Sequence, residues 1–310
     1  MSLLLSIMLL VAFTDQKCVC PPNSDSTVSI AERLMTNSVT VQAGRSQGSG
    51  TLCVDKNGRT WVLTAGHVIQ GTREQKTVLD ERGHQKVVIS FPDFKLLSIV
   101  KEDGRQIGEF KYDVEVIRYS DPEAGDDLAV GRVRSRAFSP RYPMRFHLER
   151  TIPPVGTHLM HCGSMYGEFG HNSVTNGILS AQGRVLYDRI FDQTTCTADY
   201  GSSGGPIVLE DSGRYVGMVV RKAGYGQSFN LIVPVRRVRD WAERNKVEFV
   251  LDASRPVPSD VELRKLPVEE NAPYTSRFDL RAYGVTGKGS RMPRAEEWTA
   301  PLFPMNFVVP

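Results

Sequence analysis

The sequence predicts an all-β fold. Turn formers are abundant, with 27 glycines and 18 prolines in 310 residues, and many turns imply many short elements. The apolar residues come in short runs, several of them alternating with polar ones as strands do. Helical spacing is confined to two short stretches, near residues 27–35 and 234–246. A chain of this length can bury a sizeable core in one large domain or two small ones. Its composition, 40% hydrophobic and 24% charged, is that of an ordinary globular protein. A net charge of +3 is too small to point to a nucleic-acid partner.

Residues 1–24 read as a leader. Leu3 to Phe13 form an apolar run of signal-peptide length, too short to span a bilayer comfortably. No Lys or Arg precedes Leu3, but Ala12 stands three positions back from a cut after Thr14. The expectation is export or membrane association, against the alternative of an intracellular protein; any membrane link runs through this segment if it is retained. Five cysteines is an odd number, so at least one is unpaired within the chain. Cys18 and Cys20 are too close to bond to each other easily. Cys162 and Cys196 fall in the same half of the chain and could pair, although buried free thiols are the expected state.

Thr27 to Met35 is helical in pattern, and Ser38-Val39-Thr40-Val41 alternates as a strand. Thr51 to Val54 and Thr60 to Thr64 are strands joined through Asn57-Gly58, a strong hairpin signal. Residues 71–110 fit short strands and surface loops, with Val87-Val88-Ile89 as the main apolar piece. Val114 to Tyr119 and Asp127 to Val133 are strands. Arg132, Arg134 and Arg136 alternate, which puts them on one solvated face. Pro140, Pro143, Pro153 and Pro154 mark a crossing into a second half that starts near Gly156. Thr157 to Cys162 reads as a strand, so His158 and His161 point to opposite faces and do not share a metal. Val174 to Ser180, Thr194 to Thr197, Pro206 to Leu209, Tyr215 to Val220 and Phe229 to Val233 complete the strands. Pro234 opens a helix with Val235, Val238 and Trp241 inward and Arg236, Arg237 and Arg239 outward. Residues 249–310, with Pro256, Pro258, Pro267 and Pro273, form a tail expected to have little core of its own.

The chemistry gathers around Gly201-Ser202-Ser203-Gly204-Gly205-Pro206. Its glycines permit a sharp turn that can aim the N–H groups of Gly201 and Ser203 at one point. A serine needs a base to attack a carbonyl, and the base needs an orienting group. Thr64-Ala65-Gly66-His67 ends one apolar run, and Asp126-Asp127-Leu128-Ala129-Val130 opens another. Asp127 adjoins the apolar run and is the expected partner of His67. Asp126 is expected to be a solvated turn residue, and Asp113 is a weaker third candidate.

His67, Asp127 and Ser203, in this order and each in its own context, resemble the trypsin/chymotrypsin-like serine peptidases. The resemblance covers residues 38–246 and is nearest in style to the bacterial high-temperature-requirement group and viral members. It implies two six-stranded Greek-key barrels, about 38–138 and 155–233, followed by a helix over 234–246, within a peptidase domain of residues 25–248. It implies a protein or peptide substrate and a serine endopeptidase working through an acyl-enzyme, with no cofactor and no metal. A binding protein without activity and an esterase are the alternatives. Gly201 and Ser203 N–H groups form the implied oxyanion hole. The strand Val219-Val220-Arg221 is implied to pair with substrate backbone. Alignment of the nucleophile loop puts Thr197 at the base of the specificity pocket, Asn230 on its far wall and Lys222 near its rim. The tail is too short for a typical PDZ module.

Overall fold

The computed structural model describes residues 28–79, 81–102, 105–186, 189–223, 229–270 and 307–308. The leader, with Cys18 and Cys20, lies outside them. No helix among the described residues is long and apolar enough to cross a membrane.

The chain enters through helix α1 (Ile30–Asn37), whose start is fixed by a reciprocal capping box between Ser29 and Glu32. Barrel 1 is built from β1 (Ser38–Ala43), β2 (Ser46–Val54) and β3 (Thr60–Thr64), then β6 (Phe94–Glu102), β7 (Arg105–Tyr119) and β8 (Ala129–Val133). They close in the order β1-β2-β3-β8-β7-β6. Between β3 and β6 lie the short helix α2 (Gly66–Ile69) and a separate hairpin, β4 (Glu74–Leu79) with β5 (Gln85–Ser90). The β2–β3 turn forms at the Asn-Gly pair: Gly58 takes φ 76°, and Asp55 Oδ1 accepts from Asn57 N at 2.8 Å and Arg59 N at 3.0 Å. Asp55 Oδ2 also accepts from the buried Trp61 Nε1 at 2.9 Å, so one carboxylate ties the turn to the core.

Barrel 2 comprises β9 (His158–Met165), β10 (Gly170–Leu186), β11 (Arg189–Thr194), β12 (Pro206–Leu209), β13 (Tyr215–Ala223) and β14 (Asn230–Pro234). The order is β12-β9-β10-β11-β14-β13, closed by pairing of β12 with β13. The expected strand at 194–197 is displaced: β11 ends at Thr194, and the residues beyond it feed the nucleophile loop. A seventh, two-residue strand, β15 (Phe307–Val308), pairs antiparallel with β13 at Lys222 and Ala223. The all-β fold of two six-stranded barrels is thus the observed one. Cys53, Cys162 and Cys196 are buried free thiols. His158 is exposed and His161 buried, on opposite faces of β9.

Two expectations are corrected. Helix α3 (Val235–Arg244) buries Val235, Val238 and Trp241 as predicted, but Arg236 and Arg237 are buried as well. Helical spacing alone cannot show that these guanidiniums face buried carboxylates: Arg236 pairs with Asp192 and Arg237 with Asp126. The tail also contributes to the core. Phe249, Val250, Leu251 and Leu263 are buried in the main cluster, with Phe249 edge-on to Trp61 at 4.9 Å. Helix α4 (Asp260–Leu263) follows, and Val268 O and Glu270 N bracket Tyr119 through backbone bonds. Arg134 and Arg136 are exposed as expected, Arg134 pairing with Asp93, while Arg132 is half-buried and pairs with Glu115 and Asp260.

Candidate active site

Strand β3 ends at Thr64, and Ala65 is extended before α2 begins, which sets His67 at the mouth of barrel 1. Asp127 precedes β8 in the loop after β7. Its Oδ1 accepts from His67 N at 2.9 Å, and both carboxylate oxygens lie 3.0 Å from His67 Nδ1. A carboxylate is acceptor-only when ionised, so Nδ1 carries the proton. Burial alone would raise the Asp127 carboxyl, but the His67 charge, the His67 hydrogen bonds and Arg221 outweigh it and hold it below the usual range. The approach depends on Gly66, where a Cβ would lie 2.4 Å from Ser120 O and 3.3 Å from Asp127 Oδ1. Asp127 itself has φ 58°, a left-handed conformation that few residues with a side chain adopt.

Ser203 lies in the loop between β11 and β12. That loop is stitched to barrel 1 by Ser49, a buried residue of β2. Ser49 N donates to Ser203 O at 2.7 Å, and Ser49 Oγ donates to Gly201 O at 2.6 Å. Ser164 N of barrel 2 donates to the same hydroxyl at 2.8 Å. Gly204 presses on β3: a Cβ there would lie 2.4 Å from Thr64 Oγ1 and 3.0 Å from Ala65 N. The nucleophile loop and the strand end that leads to His67 therefore pack against each other. His67 Nε2 is buried and has no hydrogen-bond partner among the described residues.

The peptide leading into Gly201 is fixed from behind. Tyr200 O accepts from Tyr166 N at 2.6 Å, which turns that carbonyl toward the turn after β9. Gly201 has φ 88°. Ser202 is buried and bonded within its own turn, its N donating to Asp199 O at 2.8 Å and its Oγ accepting from Asp199 N at 3.2 Å. Tyr166 OH reaches Asp199 Oδ2 at 2.8 Å and completes the brace.

The predicted substrate-contact residues fall on two adjoining segments. Val219 exchanges backbone bonds with Gly204 and Gly205 (2.8 and 3.1 Å), so Val220, Arg221 and Lys222 run on along β13 from the nucleophile loop. Val220 is buried, and an Arg221 terminal nitrogen donates to Pro122 O at 3.3 Å. Thr197 is exposed, its carbonyl accepting from Thr175 Oγ1 at 2.8 Å. Asn230 is buried beside it and donates to Cys196 O at 2.7 Å.

Asp126 is not the solvated turn residue expected. It is 2% exposed and pairs with Arg237 at 3.0 Å and Arg244 at 2.5 Å. The sequence separates these residues by more than 100 positions, so no local pattern carries the pairing. Asp113 pairs with the exposed Lys95. Ser49 and Tyr166 are absent from the sequence reading. A small polar residue between two glycines, Gly48-Ser49-Gly50, was the available signal for Ser49; nothing local marks Tyr166. His161, buried beneath the loop, makes one ring bond, Nδ1 to Pro206 O at 3.1 Å, and burial pushes it down to about 4. Burial likewise pushes the Cys196 thiol up to about 11, away from thiolate chemistry.

The human peroxisomal leader peptide-processing protease is 44% identical over 77 residues, and its mouse counterpart is 47% identical over 74. Those matches span 24% of this chain and only 12% of either relative. A variant of the HtrA-type protease AlgW with tripeptide superposes with a TM-score of 0.50 at 19% identity, covering 71% of this chain and 63% of that one, which is a likeness of fold. The family model for the trypsin-like peptidase domain matches residues 48–218. That match takes in more than half of the 310 residues, and the chain belongs to the trypsin-like peptidase domain family.

Proposed function

We propose that this protein is a serine endopeptidase that hydrolyses peptide bonds through an acyl-enzyme on Ser203. The observation that carries the reading is the pairing of His67 Nδ1 with the buried Asp127 carboxylate, with His67 Nε2 left without a hydrogen-bond partner among the described residues. Ser203 Oγ attacks the carbonyl carbon while its proton passes to His67 Nε2. Asp127 holds the tautomer and stabilises the imidazolium. The N–H groups of Gly201 and Ser203 receive the oxyanion. His67 then protonates the departing amine. Water attacks the ester carbonyl, gives its proton to His67, and Ser203 recovers its own.

The edge of β13 beyond Val219, paired with β15 at Lys222 and Ala223, receives extended substrate backbone by strand addition. Thr197 and Asn230 stand at the specificity pocket and carry no charge, so cleavage follows a small, apolar or neutral polar residue rather than Arg or Lys. The apolar leader supports export or membrane association from sequence alone.

His67 Nε2, without a partner among the described residues, favours one second reading, a partner-binding protein without activity, since no serine is bonded to it. In free peptidases this bond is often long and closes on substrate. A fluorophosphonate probe separates the two. Labelling of the folded parent, lost in Ser203→Ala, supports the peptidase; an unlabelled folded parent supports the binder. Turnover of esters without turnover of any peptide in a library would instead identify an esterase.

A further inference from the structure

The loop that presents Asp127 belongs to barrel 1, yet the side chains that hold it come from barrel 2 and α3. Arg189 donates to Pro122 O at 2.7 Å and also to Glu123 O. Arg237 is the central group. Its Nε donates to Asp126 Oδ1 at 3.0 Å, one terminal nitrogen to Asp126 O at 2.9 Å and the other to Ile190 O at 2.9 Å. Arg244 closes Asp126 Oδ2 at 2.5 Å, and Asp126 N donates to Ser120 Oγ at 2.6 Å. Glu270 accepts from Ser120 Oγ and Trp241 Nε1, each at 3.1 Å.

The bond to Asp126 O is the informative one. That oxygen belongs to the peptide joining Asp126 to Asp127. Its direction fixes the plane from which Asp127 departs, and Asp127 departs with φ 58°. A non-glycine residue in this region persists only where its surroundings over-determine it. Arg237 grips the Asp126 carboxylate and carbonyl at once, with a planar fork that lysine does not reproduce. Both side chains are 2% exposed, so the grip is neither screened nor loosened by water.

We propose that Asp126 and Arg237 are positioning residues for the proposed reaction. They lock the 126–127 peptide so that the Asp127 carboxylate meets His67 Nδ1, and they make the alignment of the triad depend on docking of barrel 2 and α3 against barrel 1. The inference rests on the peptidase reading. The charged groups facing the pair are Arg244, Glu270 and Arg189.

The test compares Arg237→Met, Arg237→Lys, Asp126→Asn and Arg239→Ala with the parent, each shown to be folded by circular dichroism at the assay temperature. Misplacing a catalytic group by an ångström costs about 10²-fold. Arg237→Met therefore lowers kcat by about 10²-fold with KM within about two-fold, Arg237→Lys recovers part of the loss, and Arg239→Ala, whose guanidinium pairs with Asp240, stays near the parent. The acid limb of the kcat/KM profile moves to lower pH in Arg237→Met, because an imidazolium with a displaced Asp127 is less favoured. Parent-like kcat and acid limb in folded Arg237→Met would overturn the inference and leave the pair a scaffold. If Arg237→Met does not fold, Arg237→Lys and Asp126→Asn carry the same comparison: both must lose kcat, and parent-like values in both overturn it. A parent that neither labels nor cleaves removes the peptidase reading instead. The low-field proton resonance of His67 Nδ1 then still reads the alignment, and it must vanish or shift in Arg237→Met and persist in Arg239→Ala.

Discussion

A Cβ atom on Gly201 would lie 2.2 Å from the carbonyl oxygen of Ser164 and 2.9 Å from Gly167 N. Neither contact can relax without moving the turn that Tyr166 anchors. Gly201→Ala is therefore expected to displace the N–H proposed to bind the oxyanion. Loss of one such donor costs about 10²–10³ in kcat. Steady-state kinetics on a peptide, with circular dichroism to confirm folding, check this; an alanine variant within a few-fold of the parent would exclude Gly201 from that role.

The proposed triad makes a graded expectation. Ser203→Ala and Asp127→Asn should each lower kcat by about 10⁴-fold or more. Asp127→Asn keeps an acceptor but also offers an amide, which allows the wrong imidazole tautomer. Its loss should therefore appear in kcat more than in KM.

Acid stability has a distinct source in His161. The buried ring is held down to about 4 in the folded protein, against about 6.5 for a free histidine. Above the unfolded value both states are neutral and the site adds nothing to the pH dependence. As pH falls from about 6.5 to about 4, the unfolded chain binds a proton that the folded chain refuses, and stability declines. Asp127, held below the usual carboxylate range, adds a further loss at lower pH. His161→Asn keeps a donor for Pro206 O without a titrating ring. Thermal melts at pH 7, 5.5 and 4 should show a shallower decline for this variant than for the parent. Parallel curves would mean that His161 is protonated in the folded state.

Activation should need no liberated amino terminus. In digestive relatives an aspartate before the nucleophile pairs with a new N-terminus. Here that position is Ser202, whose Oγ is satisfied by Asp199 N at 3.2 Å within its own turn. Two forms of the protein starting near Asp25, one with a free terminus and one extended by a short tag, should cleave the same peptide at rates within a few-fold. A tagged form silent until trimmed would show that another charge receives the terminus.

The barrels were legible because their signals are local. The Asn57-Gly58 turn, the alternation in Ser38 to Val41 and the apolar stripe of Val235, Val238 and Trp241 are all set by residues within a few positions of each other. The proposed roles of His67, Asp127 and Ser203 rest on signals of the same local kind, His67 and Asp127 at the end and start of apolar runs and Ser203 among glycines. What sequence reading missed is long-range. Arg237 carries the same charge whether it faces water or Asp126, and only the docking of α3 on the Asp127 loop decides between them. Tyr166 and Ser49 brace the nucleophile loop across the barrels, and their contacts leave no periodicity in either segment. The tail was misjudged because Phe249 and Leu263 are single anchors, spaced too irregularly to read as an element.

The pairing of Phe307–Val308 with Lys222 and Ala223 gives the proposed substrate edge an occupant from its own chain. A tethered strand competes at an effective concentration that can reach about millimolar, whatever the concentration of enzyme. A KM measured on the full chain then contains the cost of displacing it. Replacing Phe307 and Val308 together by proline removes the strand's donors and should lower the apparent KM while leaving kcat unchanged. The same peptide segment added in trans to that variant should inhibit competitively. An unchanged KM would mean that the contact is too weak to hold its place against substrate.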